Sequence, residues 1–413
     1  MSEADEAARA AERVARDSYG RLVAFLAART RDVAGAEDAL GDAFAAALRT
    51  WPVDGVPQNP DAWLLTVARR RQADAFRRRQ TRRAGEDHVK LIAGELEAAA
   101  ASSAAIPDRR LALMFACAHP QIEPGMRAPL ILQTVLGMTA GDISSAFLIP
   151  PAAMGQRLVR AKARIREAAI PFAVPEPEDL AGRLEAVLDA IYAAFTRGWS
   201  EVGEAGVPEL AGEAIWLGQL LVSLLPVEPE ARGMLALMLY AEARRPARRD
   251  ADGAFVPLEA QDVSLWDDSA IRRAETLLHA ANAGGPSGRY QLEAAIQSAH
   301  CARRLGGAPN WDIVVALYDQ LLAHTSSPVV RLNHGIALAE VHGAAAALAA
   351  IAPLENDRRM QTYQPYWAGR GHLLASAGDR PGAVAALTVA NGLTSDPAVR
   401  AYLHARRAAL RDS

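Results

Sequence analysis

"MTAGDISSAFLIPPAAMGQRLVRAKARIRE" (138–167) contains two helical patterns with two prolines between them. Thr139 followed three residues later by Asp142 reads as a capping box whose acid is one methylene short, and it opens a short helix through Phe147. Leu148, Ile149 and Pro150 form a turn, and Pro151 suits the first position of the next helix, where its missing N–H costs nothing. On that second helix Met154, Leu158, Ala161 and Ile165 recur at spacings of four, three and four and share one face. At about 100° per residue, Ala153, Gln156, Arg157, Arg160 and Arg164 fall on the opposite face. Two short helices, a tight turn and a basic second helix make a helix-turn-helix pattern. Arginine and glutamine reach phosphates and base edges, and small Ala152 and Ala153 permit close approach to a groove. The competing reading is a solvated basic helix in an ordinary bundle.

Working outward, nearly every other segment also reads as helix. Alanine, leucine, arginine and glutamate dominate the chain, and β-branched alternation is rare. The expected fold class is all-α. With 413 residues and 51% hydrophobic content, the chain can bury the cores of two or three domains. Its net charge of −3 means that any nucleic-acid site must be a local patch. Lysine occurs only at Lys90 and Lys162, so the placement of arginine carries more information than its abundance. Cys117 and Cys301 are too few and too far apart for a disulfide scaffold or a metal motif, which fits a reducing cytoplasm. The acidic start, MSEADEAARAAERVARD, does not read as a secretory signal, and the apolar run Ala214–Val227 is too short to span a bilayer. A cytoplasmic location without membrane contact is expected.

A second basic patch lies at "NPDAWLLTVARRRQADAFRRRQTRR" (59–83). Asn59-Pro60-Asp61 is a good helix start, and Trp63, Leu64, Val67, Ala68, Ala75 and Phe76 supply apolar contacts. Arg69, Arg70, Arg71, Arg77, Arg78, Arg79, Arg82 and Arg83 crowd the remainder, with Asp74 as sparse counter-charge. Phosphate is the natural partner of such a helix, although arginine-rich composition alone could produce it. Trp63 fits a core position better than a base-stacking platform. The preceding segment, "AGAEDALGDAFAAAL" (34–48), is acidic on one face. Residues 84–106 read as a linker, and "IPFAVPEPEDL" (170–180) as a domain boundary.

Taken in order, these segments resemble the extracytoplasmic-function (ECF) sigma factors of bacterial RNA polymerase, which contain sigma regions 2 and 4 joined by a linker. "AEDALGDAFAAAL" (36–48) resembles the region 2 motif that binds the β′ clamp helices, which implies polymerase-binding roles for Asp38, Asp42, Phe44 and Leu48. Residues 59–79 resemble the helix that reads and opens the −10 element, which implies DNA roles for Trp63, Arg69, Arg70, Arg71, Asp74, Arg77 and Arg78. Residues 108–167 resemble region 4, whose last helix enters the −35 major groove and whose partner on polymerase is the β flap; Arg157 and Arg160 fall at its basic positions. "RRPARRDADGAFVPLEAQDVSLWD" (244–267) resembles a signature of the ECF group with a long C-terminal, tetratricopeptide (TPR)-like helical extension. Three departures stand out. Gly41 replaces the usual glutamine, Arg70 an asparagine common in relatives, and Val263 the arginine of a QDRxxWD stretch.

The resemblance implies region 2 at 1–83, a linker at 84–106, region 4 at 107–171 and a regulatory helical domain at 172–413. In the last, Trp367, Gly371, Leu374, Ala383, Leu387 and Ala390 fit TPR spacing, which offers a concave surface to an unknown protein partner. Asp250, Asp252, Gly253, Gln261, Asp262, Trp266 and Asp267 form a candidate regulatory loop. It lacks the ligand alternation of an EF-hand, and His119 near Cys117 is too sparse for zinc, so no metal or cofactor is expected. No phosphate loop, nucleophile elbow or dinucleotide fingerprint is present, so no catalytic residue is assigned and enzymatic activity is not expected. The expected function is promoter-specific initiation with core polymerase and promoter DNA as partners. The alternative is a helix-turn-helix regulator on a repeat scaffold that does not program polymerase.

Overall fold

The computed structural model describes residues 3–80, 109–147, 149–200, 207–284, 286–307 and 309–412. The expected linker, 84–106, lies outside the described residues, as does Leu148 of the expected turn. Among the described residues there is no strand; one isolated antiparallel bridge joins Arg249 to Phe255. The fold is all-α. The chain divides into two compact units, 1–194 and 195–413.

The first unit contains α1 (Glu3–Thr30), α2 (Val33–Asp54), α3 (Pro60–Gln80), α4 (Arg110–Cys117), α5 (Pro124–Leu136), α6 (Ala140–Phe147), α7 (Pro151–Glu167) and most of α8 (Pro177–Ser200). Helix α1 is its centre, packing against α2, α3, α4 and α5. Leu22, Val23 and Leu26 of α1 are buried, as are Leu40 and Trp51 of α2 and Leu64 of α3, the two helices it packs against here. Full burial of each such leucine contributes about 1.5–3 kcal/mol. Gly20 supplies the closest approach. A Cβ there would lie 1.6 Å from the carbonyl oxygen of Val135 at the end of α5, so only glycine lets the two backbones meet. The proline-rich stretch 170–180 runs into the first turn of α8, but the division between units falls later, inside that helix. Arg127 of α5 donates to the carbonyl of Gly182, which ties the first turns of α8 to the first unit.

The second unit continues with α9 (Val207–Leu224), α10 (Pro229–Ala243), α11 (Asp268–Ala281), α12 (Arg289–Cys301), α13 (Trp311–His324), α14 (Pro328–Ile351), α15 (Arg358–Gln361), α16 (Gln364–Ser376), α17 (Arg380–Leu393) and α18 (Pro397–Asp412). Every residue of Gly233–Tyr240 is buried, because α10 packs against α9, α11 and α12. Helix α12 begins at Gly288, which has no side chain to cap it. The Glu230 carboxylate of α10 instead accepts from the N–H groups of Tyr290 at 2.9 Å and Gln291 at 3.1 Å.

Further along, Leu332, Ala347, Ile351, Met360, Tyr366 and Leu373 form one core cluster, and Leu387, Ala390 and Leu403 another. Gly371 faces Leu387, and buried Ala383 and Ala390 keep α16 and α17 close. Leu373 is the buried leucine of α16, while Leu374 is half-buried. The stretch Pro328–Asn356 is long and apolar enough to cross a membrane by length and composition. Its helix breaks at Gly343 (φ 82°, ψ 166°), and its Leu332, Ala347 and Ile351 pack into the first of these clusters. Cys117 and Cys301 are free and buried.

Candidate nucleic-acid interface

Helix α2 starts at Asp32, whose side chain accepts from the N–H of Gly35 at 2.9 Å. Ala36, Ala39, Leu40, Ala43 and Ala47 turn inward, which leaves Asp38, Gly41, Asp42, Ala45 and Leu48 along one exposed stripe. Leu48 is 51% exposed, a large apolar side chain on the same stripe as the Asp38 and Asp42 carboxylates. Phe44 is half-buried at the margin. Nothing lies within 4 Å of a Cβ at Gly41, so that position is open to a longer side chain.

Asn59 caps α3, accepting from the N–H of Ala62 at 3.1 Å. Asp61 in the first turn accepts from Arg21 Nη2 at 2.5 Å and Ser18 Oγ at 3.0 Å, a brace from α1 that local sequence pattern does not reveal. Trp63 is half-buried and meets buried Trp51 edge-on, with centroids 5.5 Å apart; it is part of the α2–α3 packing. Arg69 stacks 4.8 Å over the Phe25 ring, whereas Arg70, Arg71 and Asp74 are exposed. Arg77 and Arg78 belong to the same helix; their side chains lie outside the described residues.

The reciprocal capping box at α6 is present. Asp142 N–H donates to Thr139 Oγ1 at 3.2 Å, and Thr139 N–H donates to the Asp142 carboxylate at 3.2 Å. Pro151 is the first residue of α7. Met154, Leu158, Ala161 and Ile165 are buried, while Gln156, Arg157, Arg160 and Arg164 are exposed and Ala153 is half-buried. Arg157, Arg160 and Arg164 line a cleft of about 240 Å³ together with Gln121 and Glu123. Arg164 donates to Gln121 at 3.1 Å. The cleft gives the basic face a concave edge on which phosphate oxygens can be held.

Lys162, on the flank of α7, has a different role. Its ammonium lies 2.5 Å from Glu37 of α2, with both side chains 14% exposed. Burial raises the Glu37 carboxyl above its ordinary range, and Lys162 opposes that rise. Arg166 stands 3.9 Å from Asp32 on the same seam. Both pairs join segments far apart in sequence, so neither has a local signature.

In the second unit the loop aspartates serve as caps. Asp250 accepts from the N–H groups of Asp252 at 3.0 Å and Ala254 at 2.8 Å, around Gly253 at φ 79°. Asp262 accepts from Ser264 N–H at 2.9 Å, and Asp267 caps α11 through Ala270 N–H at 3.0 Å. Val263 is half-buried in the short 3₁₀ turn that follows Asp262. Trp266 is 5% exposed, with the guanidinium carbons of Arg244 and Arg303 at 5.9 and 5.7 Å from its ring centroid. Arg303 donates to the carbonyls of Leu258, Glu259 and Gln261, holding the loop's 3₁₀ turn. Gln261 is buried beside them, and Arg248 stacks 3.8 Å over Trp199 while donating to its carbonyl. These arginines assemble a structured clasp. Among the described residues no three His, Cys, Asp or Glu side chains converge as a metal site.

His300 sits next to this clasp, edge-on to Trp311 at 5.5 Å. Burial, then the charges of Arg244 and Arg303, lower its pKa to about 4. A folded-state pKa below the unfolded value stabilises the fold above about pH 6.5, and that contribution is lost as pH falls toward 4. His300→Asn is expected to flatten the decline in stability between those pH values, by at most about 3 kcal/mol, in urea titrations at stepped pH. An unchanged acid limb refutes the assignment.

The sigma-70 region 2 family matches residues 14–82, the segment that holds the exposed stripe of α2 and the arginines of α3. The chain carries a sigma-70 region 2 domain. Beyond this region 2 domain, residues 183–282 match a family of unknown function (DUF6596), which includes the loop from Arg244 to Asp267 but not Arg303. The chain is 37% identical over 379 residues to an uncharacterized protein of Rhizobium meliloti (strain 1021), covering 89% of this chain and 88% of that one. It belongs to one family with that protein, and the region 2 domain lies at its N-terminal end. No solved structure matches the chain.

Proposed function

We propose that this protein is an ECF-type sigma factor with a regulatory helical extension. It binds core RNA polymerase through the α2 stripe of Asp38, Asp42, Phe44 and Leu48, and engages and melts the −10 element with α3. It holds the −35 element with Gln156, Arg157, Arg160 and Arg164 of α7. The β′ clamp helices and the β flap are the polymerase surfaces this reading names. The observation that carries it is the region 2 match at 14–82, which coincides with an exposed acidic and apolar stripe followed by exposed arginines. The capped α6–α7 pair, with its basic outer face, supports the region 4 role. Sigma region 2 at 1–83, region 4 at 107–171 and a TPR-like regulatory domain at 172–413 remain the functional division of the chain. The clasp at 244–267 then acts by holding that domain together, and the repeats face a protein partner. On this reading the chain is a cytoplasmic regulator rather than an enzyme.

Run-off transcription tests it. The full chain, mixed with sigma-free core polymerase and a library of upstream regions, is expected to yield specific start sites. Absence of any specific start sinks the reading. Binding to −35-like DNA without polymerase, at full affinity, favours the helix-turn-helix regulator on a scaffold instead.

A further inference from the structure

In a solenoid of helical repeats each unit contacts mainly its neighbours. Helix α18 follows this rule, packing against α17 around Leu387, Ala390 and Leu403. It also meets a segment 147 positions earlier in the chain. Arg249 pairs with Asp396, the residue that caps α18, and the Phe255 ring stands edge-on to Tyr402 with centroids 5.3 Å apart. The segment that carries both side chains is a hairpin with its own bonding. Val256 N–H donates to the Arg248 carbonyl at 3.0 Å and Asp250 N–H to the Ala254 carbonyl at 3.1 Å, while the Asp250 carboxylate holds the turn around Gly253. Its tip, 250–254, is exposed. These bonds stay within the hairpin, so it keeps its shape whether or not it rests on α18.

The seat on α18 is better made than its occupant. The Asp396 carboxylate accepts from the N–H groups of Ala398 at 2.9 Å and Val399 at 3.3 Å. Burial works to raise its pKa, but the bonds from Arg249, Val399 and Ala398 outweigh that and hold it below the ordinary range. Arg249, by contrast, has its Nη1 buried without a hydrogen-bond partner among the described residues. It also stands beside like charges. Burial, then the charges of Arg249 and Arg245, push the Arg248 pKa down to about 10. A guanidinium delivered by another chain, with both arms bonded and no cationic neighbours, suits this carboxylate better. We infer that the head of α18, from Asp396 to Tyr402, is a binding site for a partner-protein segment that carries an arginine and an aromatic residue, and that the Arg249–Phe255 hairpin fills it in cis until that segment displaces it. The inference rests on the reading above that the repeats face a protein partner, and it supplies that partner's chemistry.

The probe is a dye-labelled synthetic peptide with the hairpin sequence, residues 248–256, titrated into the full chain and followed by fluorescence anisotropy. Arg249→Ala with Phe255→Ala empties the seat and is expected to bind the peptide roughly tenfold more tightly than wild type, in which the hairpin competes. Adding Asp396→Asn to that variant removes the charge while asparagine still caps α18, and is expected to weaken binding by roughly tenfold. No binding to the emptied chain, equal binding to wild type, or indifference to Asp396→Asn overturns the site. Displacement is read on an otherwise wild-type chain with a spin label at Ala251→Cys, an exposed position, the native cysteines being buried. Excess peptide is expected to sharpen the label's spectrum; an unchanged spectrum overturns the displacement even if the emptied variant fails to fold. A mass that doubles with concentration in sedimentation assigns the seat to the hairpin of a second copy and overturns the partner. None of these measurements uses polymerase. A failed run-off assay therefore removes the sigma reading alone, and a peptide that does not bind removes the seat alone.

Discussion

Replacing Arg157 and Arg160 together with alanine is expected to lower initiation from a −35-bearing promoter about a hundredfold. Each arginine that makes a good base contact contributes about 1–3 kcal/mol of discrimination, and about 1.4 kcal/mol is a factor of ten. Both side chains are exposed on α7, so their removal leaves the packing of Met154, Leu158 and Ile165 intact. Alanine also favours the helix, so unfolding does not account for a loss. The measurement is run-off product from paired templates with and without the −35 element. Wild type should prefer the first, and the double variant should treat both alike. If one or both arginines hold phosphates instead, affinity should fall on every template and the salt dependence should flatten by about one unit for each phosphate no longer held. A double variant that keeps the wild-type preference ends the −35 assignment.

Trp266→Ala is expected to have the largest effect in the second unit. The side chain is buried at the centre of the clasp, between Arg244 and Arg303, and truncating a buried tryptophan costs about 3–5 kcal/mol. For a unit of this size that corresponds to a fall of roughly 10 °C in melting temperature. Asp262→Ala removes only an exposed cap on a short 3₁₀ turn, so its melting should stay close to wild type. Transcription output should follow the same order, with Trp266→Ala altered and core-polymerase binding retained by both. Equal melting of the two variants excludes the clasp as a structural centre, and unchanged output in cells removes its regulatory role.

The features legible in the sequence were those written within one or two helical turns. The spacing of Met154, Leu158, Ala161 and Ile165 identified the inner face of α7, and all four are buried. Thr139 and Asp142 marked the start of α6, and the cap is there despite the shorter acid. The acidic run at 34–48 resolved into an exposed stripe because the alanines between its acids turn inward. What could not be read were pairings through space. Lys162 and Glu37 are 125 positions apart, and neither segment alone distinguishes a paired charge from a solvated one. The Arg21–Asp61 brace and the close approach of Gly20 to Val135 are of the same kind. The aspartates of 250–267 resembled a ligand set in composition, but each caps a different turn, and composition carries no direction for a carboxylate.

The capping of α12 by Glu230 has a consequence for how the second unit comes apart. A helix usually carries its own capping group, so its end can form before the helix docks. At Gly288 there is no such group, and the bonds to Tyr290 and Gln291 come from α10, sixty residues earlier in the chain. A Cβ at Gly288 would lie within 2.4 Å of the Glu230 carboxyl, so the helix cannot easily gain a cap of its own. Fraying of α12 and undocking of α10 are therefore one event. Amide protons at the head of α12 should exchange only when the two helices separate, which makes α10 and α12 a single cooperative folding element.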